Sequence, residues 1–143
     1  MKKTGWTLFF VLVLSALVLS ACGGGGGSAK TRPSVPADFA GLTDPYLGQA
    51  DAVAAGEALF KTNCASCHGD AAKGDGPAAA ALDPAPANLQ NTAAETEPAY
   101  MYWVIHEGGA AAGLSSSMVS YAGILTEDQI WQIVTYLEAT YGK

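Results

Sequence analysis

The stretch Cys64-Ala65-Ser66-Cys67-His68 decides how the rest of this sequence is interpreted. It has the pattern C-x-x-C-H, which is the signal for covalent attachment of a c-type haem. Cysteines three residues apart lie on the same side of a helical turn, so both sulfurs can form thioethers to the two vinyl groups of one porphyrin. His68 follows the second cysteine directly, which directs its ring to the iron as the proximal ligand. The pattern therefore predicts one covalent haem c.

Three other interpretations of the same residues are open. C-x-x-C is also a thioredoxin-type redox motif, but that motif opens a helix of a βαβ unit, and no strand-like alternation surrounds it here. A zinc site would have Cys64, Cys67, His68 and His106 as ligands, but structural zinc sites usually separate paired ligands by at least two residues. A disulfide between Cys64 and Cys67 would be strained.

The N-terminus has the parts of a bacterial secretion signal. Lys2 and Lys3 provide the positive charge, an apolar run follows from Trp6 to Leu19, and small residues come next. A retained transmembrane anchor is the alternative, but the run is short for a span. We therefore predict a signal peptide over residues 1–21.

The residues Leu19-Ser20-Ala21-Cys22 resemble the lipobox of bacterial lipoproteins. The resemblance implies that Cys22 is lipidated, palmitate included, and becomes the new N-terminus. Several acyl chains would hold the protein firmly at the outer, extracytoplasmic face of the cell membrane. Lipidation also accounts for the odd third cysteine, which would otherwise be a free thiol in an oxidising compartment.

Charge excludes one class of partner. The 143-residue chain has 7 basic and 13 acidic side chains, and removal of residues 1–21 leaves five against thirteen, or −8. Binding of nucleic acid is therefore not expected. An acidic surface favours a partner with a basic docking face and salt-sensitive association, or serves solubility alone.

The mature chain divides into a tether and one domain. Residues 22–50 begin with Gly23–Gly27 and contain three prolines, which predicts a flexible tether with Phe39 and Leu42 docking on the domain. The domain is predicted over residues 51–143 and as all-α. The first of its three clear helices begins at an Asp51 cap and leads into Cys64. The second runs over Glu97–Glu107 with Thr96 as its cap.

The last helix is the clearest of the three. Thr126 and Gln129 have the spacing of a capping box. An apolar stripe at helical spacing follows, and Gly142 ends the helix. The stripe consists of Ile130, Ile133, Val134 and Leu137.

From Asp44 to Tyr141 the chain resembles class I c-type cytochromes, which implies a fold of three to five helices wrapped around the haem. In that family a helix with a glycine and an aromatic residue precedes the haem motif and crosses the C-terminal helix, as Gly56 and Phe60 would here. Gly69-Asp70 and Gly74–Pro77 resemble the loop after the haem motif. Leu82–Leu89 resembles the proline-rich loop, in which a carbonyl accepts the proximal histidine's Nδ1–H.

The resemblance also implies a methionine as the distal ligand. Met118 lies between the second of these helices and the last, in a stretch similar to the family's methionine loop, although Val119 stands where the family usually has proline. Met101 and His106 are the competitors. Met101 lies on an apolar helix face, where Met most often fills a core, and His106 suits the C-terminal end of its helix.

The function that follows is electron transfer by a membrane-anchored monohaem cytochrome c, and not enzyme catalysis. Its partners would be a quinol-oxidising complex, a terminal oxidase, a reaction centre or other cytochromes. The order of signal peptide, lipidated cysteine, tether and single haem domain is also similar to that of the monohaem cytochrome subunit of alternative complex III. A fixed subunit of a membrane complex is therefore the main alternative. A haem sensor or peroxidase-like enzyme would need an open sixth position on the iron.

Overall fold

The computed structural model describes residues 32–143 of the chain. The signal peptide, Cys22 and the glycine run lie outside the described residues and stay predictions. Residues 33–143 form one compact unit, and the regular secondary structure of this part of the chain is all helical, without a strand. Its elements are α1 (Ala50–Asn63), α2 (Ala65–His68), a 3₁₀ turn (Ala79–Ala81), α3 (Leu89–Glu95), α4 (Pro98–Glu107) and α5 (Glu127–Tyr141). The prediction of an all-α fold is confirmed.

Helices α1 and α5 form the most extensive contact between any two elements. They cross at Gly56, where an added Cβ would overlap the backbone carbonyl of Gln132 and lie 2.8 Å from the Cβ of Tyr136. One turn further along α1, the fully buried Phe60 ring packs against Tyr136 with 5.5 Å between ring centroids. Glycine at this position thus lets the two helix backbones touch.

Helix α5 begins as the sequence predicts. The Thr126 hydroxyl accepts a hydrogen bond from the Gln129 backbone N–H at 3.2 Å, and the Gln129 side chain accepts one from the Thr126 N–H at 3.0 Å. This reciprocal capping box satisfies two backbone donors that have no partner inside the helix. All four residues of the predicted apolar stripe are buried.

Helix α4 is buried all round over the seven residues 99–105. A helix without a polar face must be covered on several sides. Tyr102 stacks on Trp131 of α5 with ring centroids 4.3 Å apart. This helix therefore provides the centre of the apolar core.

Two predicted helix caps are wrong. Asp51 lies in the first turn of α1, and Gln49 takes the cap position without a side-chain hydrogen bond. Thr96 ends α3 instead of capping α4, because its hydroxyl donates to the Thr92 carbonyl at 2.8 Å. Helix α4 starts from Glu97 with Pro98 in the first turn, where proline's missing N–H costs nothing.

Residues 33–49, which we call the N-terminal strap, pack on the domain although the sequence places them in a tether. The Phe39 ring lies 6.2 Å from that of Tyr102, while Leu42 stays 39% exposed. The Thr135 hydroxyl, 1% exposed on α5, lies 2.8 Å from a carboxylate oxygen of Asp44. The domain thus extends to the start of the strap. No helix in residues 32–143 is long and apolar enough to cross a membrane.

Candidate haem site

The C-x-x-C-H stretch forms a short helical turn at the end of α1. Cys64 closes α1, and its carbonyl accepts the backbone N–H of Cys67 at 3.2 Å and that of His68 at 2.9 Å. Both cysteines are half-buried and free of any disulfide. The turn therefore holds two thiols and one imidazole together, in the order the sequence predicts.

The His68 side chain is buried and fixed by one hydrogen bond. Its Nδ1 lies 3.0 Å from the carbonyl oxygen of Ala87, so Nδ1–H donates and Nε2 carries the lone pair. Burial lowers the pKa of His68, against a smaller opposing effect of the Ala87 bond. The imidazole is thus neutral, in one tautomer, with the nitrogen suited to a metal available. The acceptor lies in the expected loop, and it is the carbonyl of Ala87.

The glycine-rich loop after the motif is hydrogen-bonded to the motif's own carbonyls. The N–H of Gly74 donates to the His68 carbonyl at 2.8 Å, and that of Gly76 donates to the Cys67 carbonyl at 3.2 Å. These bonds satisfy the carbonyls that a short helix leaves without partners at its C-terminus.

Both of those glycines are needed for the fit. A Cβ on Gly76 would lie 2.5 Å from the carbonyl oxygens of Ala65 and Ser66. Gly74 has a φ of +82° and packs against the carbonyls of Pro86 and Ala87. The loop therefore fixes the position of the carbonyl that orients His68.

Two of the alternative interpretations of the motif are disfavoured, one by the electrostatics of Cys64 and the other by the arrangement of the side chains. Burial, followed by repulsion from Cys67, raises the pKa of the Cys64 thiol to about 12, whereas redox-active C-x-x-C thiols have a lowered pKa. For zinc, residues 32–143 contain no group of three or more His, Cys, Asp or Glu side chains placed to hold a metal ion.

Met118 is half-buried and lies in a loop that is closely packed on the end of α4. Its carbonyl accepts the Gly109 N–H at 2.9 Å, and an added Cβ on Gly109 would lie 3.1 Å from the Cβ of Met118. Three residues on, the Tyr121 hydroxyl donates to the carbonyl of Asn63 at 2.8 Å. The loop thus contacts the chain immediately before Cys64. Sequence reasoning missed Tyr121, because nothing local indicates a contact 58 residues away.

The two competitors for the distal position have other contacts. Met101 is 4% exposed within the core cluster around α4. The His106 Nδ1 lies 2.7 Å from a carboxylate oxygen of Glu107. Its ring stacks on that of Tyr102 at 5.7 Å. Both competitors thus have contacts of their own, and the assignment of Met118 as the distal ligand stays a prediction.

The residues present fit a haem c. This cofactor requires two thiols, a neutral histidine and, in many cytochromes, a thioether. The chain has two free thiols three residues apart and a neutral histidine with a fixed tautomer. It also has a half-buried thioether on a loop that touches the same helix end. An all-helical fold with this site defines a class I c-type cytochrome, a protein that transfers electrons. The chain belongs to the family described as cytochrome c oxidase, cbb3-type, subunit III, whose model matches residues 51–137.

Solved structures agree with this assignment. The chain is similar to cytochrome CL from the marine methylotrophic bacterium Methylophaga aminisulfidivorans MPT, with 26% identity, a TM-score of 0.51, and coverage of 71% of this chain and 63% of that one. It is also similar to a chain of the reducing HAO-like protein complex of Kuenenia stuttgartiensis, with 25% identity, a TM-score of 0.53, and coverage of 69% and 47%. The matches span less than two thirds of either structure. No curated protein matches the chain.

Proposed function

We propose that this protein carries single electrons by means of one haem c. Cys64 and Cys67 would form the thioethers, His68 would be the proximal ligand and Met118 the distal ligand. When bound, the haem iron supplies a reversible one-electron change between its ferric and ferrous states. The observation that supports this most strongly is the buried His68, whose bond to the Ala87 carbonyl leaves Nε2 as the ligating atom.

Groups of the chain itself would set the reduction potential of the haem. The Ala87 carbonyl keeps the proton on Nδ1 and makes the imidazole more basic. Burial of His68 excludes water from the proximal side. The Met118 thioether favours the reduced state relative to a second histidine and therefore raises the potential.

We infer a carrier rather than an enzyme because both axial positions are assigned to side chains of this chain. A substrate would first have to displace Met118. The electron would instead pass to a partner protein docked on the surface, while His68 and Met118 stay in place. The loop that presents Met118 is fixed by the Gly109 and Tyr121 hydrogen bonds, which favours retention of that ligand.

Ligand variants of the full chain, produced with a haem c maturation system, test this assignment. Mass spectrometry under denaturing conditions should find one haem retained by the wild type and lost from a Cys64→Ser/Cys67→Ser double variant. Met118→Leu should abolish the methionine-to-ferric-iron charge-transfer band and allow the reduced protein to bind carbon monoxide. Met101→Leu is the matched control and should do neither. If Met118→Leu keeps the band, the assigned distal ligand is wrong.

We also propose that residues 1–21 direct export and that a lipid on Cys22 anchors the domain to the outer face of the bacterial cell membrane. The structure limits the reach of such an anchor, because the strap packs on the domain from residue 33 onward. Only residues 23–32 then separate Cys22 from the domain, and ten residues span at most about 35 Å. Residues 23–50 would span roughly 95 Å if all of them were free.

This short reach favours the second candidate, a fixed subunit of a quinol-oxidising or oxidase complex, over a carrier that swings between distant complexes. The family's description as an oxidase subunit supports the same proposal. A Cys22→Ser variant separates the two. A fixed subunit should still co-purify in constant ratio with a large complex after detergent solubilisation. A mobile carrier should be released alone from the membranes.

A further inference from the structure

The segment from Gly108 to Thr126, which we call the methionine loop, contains no charged residue. It is 19 residues long in a chain with 14% charged residues, so about three charges would be expected by composition alone. All 13 acidic side chains lie elsewhere, although the protein as a whole is acidic. The nearest ones, Glu107 and Glu127, flank the loop at its two ends.

The same loop exposes large apolar side chains. Leu114 is 46% exposed, Val119 is 54% exposed and Ile124 is 61% exposed. They are three of the five large apolar side chains that are exposed in the described part of the chain. Serines 115–117 lie between the first two and are uncharged. The loop therefore presents an apolar and neutral surface on an otherwise acidic protein.

The loop is held in one shape before any partner arrives. The N–H of Leu114 donates to the Gly109 carbonyl at 2.8 Å, and the N–H of Tyr121 donates to the Ile105 carbonyl at 3.1 Å. Ala112 is 1% exposed and anchors the middle of the loop in the core. A surface fixed in this way loses little conformational entropy on binding.

We propose that the methionine loop is the docking surface for a one-electron redox protein whose own contact face is apolar and uncharged. The proposal rests on the proposed function, in which Met118, the residue before Val119, would be the distal ligand. A charged partner face would lose its hydration against this loop and find no opposite charge there.

This surface predicts electron transfer that depends little on salt. The overall acidic charge alone would suggest the opposite, namely a basic partner and a rate that falls steeply as ions screen the attraction. With a neutral contact, the rate at which the partner reduces the protein should change less than about twofold between roughly 20 and 300 mM salt.

The test uses the full-length holoprotein and membranes from the source organism that lack the native copy. Membranes supplied with NADH reduce the added protein, and haem absorbance follows the rate. Val119→Glu and Val119→Lys should both slow reduction by about tenfold, because either charge would be buried without a partner. Val119→Thr should retain the wild-type rate. Ala54→Glu and Ala54→Lys, on the exposed side of α1, make the same charge changes elsewhere and should have little effect.

Several results would overturn the proposal. One is a wild-type rate that falls more than about fivefold over the salt range, since this indicates a charged contact. Another is a gain in rate for Val119→Lys or Val119→Glu. A third is a dimer, seen by sedimentation, that Val119→Glu dissociates without slowing reduction, because the loop would then bind a second copy of the chain. Failure of the proposed function is distinguishable, since it would show as a missing haem spectrum or a missing methionine band before any membrane is added.

Discussion

Replacement of Gly56 by alanine should destabilise the protein although alanine is the better helix former. In an ordinary helix this substitution stabilises by about 1 kcal/mol. Here the new Cβ would overlap the carbonyl oxygen of Gln132 and lie 2.6 Å from its carbon. Contacts of Cβ below 3.0 Å are essentially never seen. Because the obstacle is α5 backbone rather than a flexible side chain, the two helices must separate.

The size of the effect follows from that separation. Relief of the overlap requires a shift of about 1 Å, which costs a quarter to a half of the dispersion energy of each contact across the crossing. Overpacking of this kind costs roughly 3 kcal/mol. After subtraction of the gain in helix propensity, we expect a net loss of about 2 kcal/mol in the free energy of unfolding. For a domain of this size the melting temperature should fall by about 10 °C.

Thermal and urea unfolding of the holoprotein, followed by circular dichroism, measures this loss. Gly123→Ala is the matched control, because nothing lies within 4 Å of an added Cβ there and its backbone does not require glycine. The control should be neutral or stabilised by a few tenths of a kcal/mol. A Gly56→Ala protein as stable as the Gly123→Ala protein would refute the reasoning, since the crossing would then have room for a methyl group.

Three further substitutions test other parts of the structure. Asn88→Ala removes the side chain that accepts the N–H groups of Gln90 and Asn91 at the start of α3, and should lower the free energy of unfolding by about 1 kcal/mol in urea melts. Thr135→Val removes the hydroxyl that bonds Asp44 and should increase hydrogen exchange across the strap by about tenfold. Glu138→Gln should stabilise at neutral pH, because burial, followed by repulsion from Glu97 and Asp44, raises the pKa of Glu138. The raised pKa favours folding below the unfolded value of 4.5, and this contribution is lost as pH rises through the folded pKa. The stabilisation by Glu138→Gln should therefore vanish in thermal melts below pH 4.5, where the carboxyl is protonated in both states.

The parts of the fold that the sequence predicts are those with local signals. Helix α5 has a capping box and an apolar stripe within a dozen residues, so its start and its buried face follow from the chain itself. Helix α3 was missed because its seven residues follow a proline-rich stretch and its signal is the single cap Asn88. Docking of the strap through Phe39 was expected, but its anchor was not, because that anchor joins Asp44 to Thr135, 91 residues apart, and no local pattern encodes such a bond.

The residues of the candidate site also fall into those with a local sequence signal and those without one. The two thiols and the histidine are encoded in five consecutive residues, and the sequence predicts them as a unit. The group that orients the histidine is a main-chain carbonyl 19 residues away, and every residue type has one. Only the fold of the glycine-rich loop selects Ala87, so the sequence could indicate the loop but not the atom.

The end of α1 connects the features that matter for function. Asn63 and Cys64 are adjacent. The Asn63 carbonyl accepts a hydrogen bond from the Tyr121 hydroxyl of the methionine loop, and Cys64 is the first residue of the haem motif. Because Gly56 fixes how closely α1 approaches α5, it also fixes the position of both residues relative to the core. A shift of α1 would therefore move the cysteine thiols and the methionine loop together. With Met118 as the proposed distal ligand, Gly56→Ala should alter the methionine-to-ferric-iron charge-transfer band as well as stability.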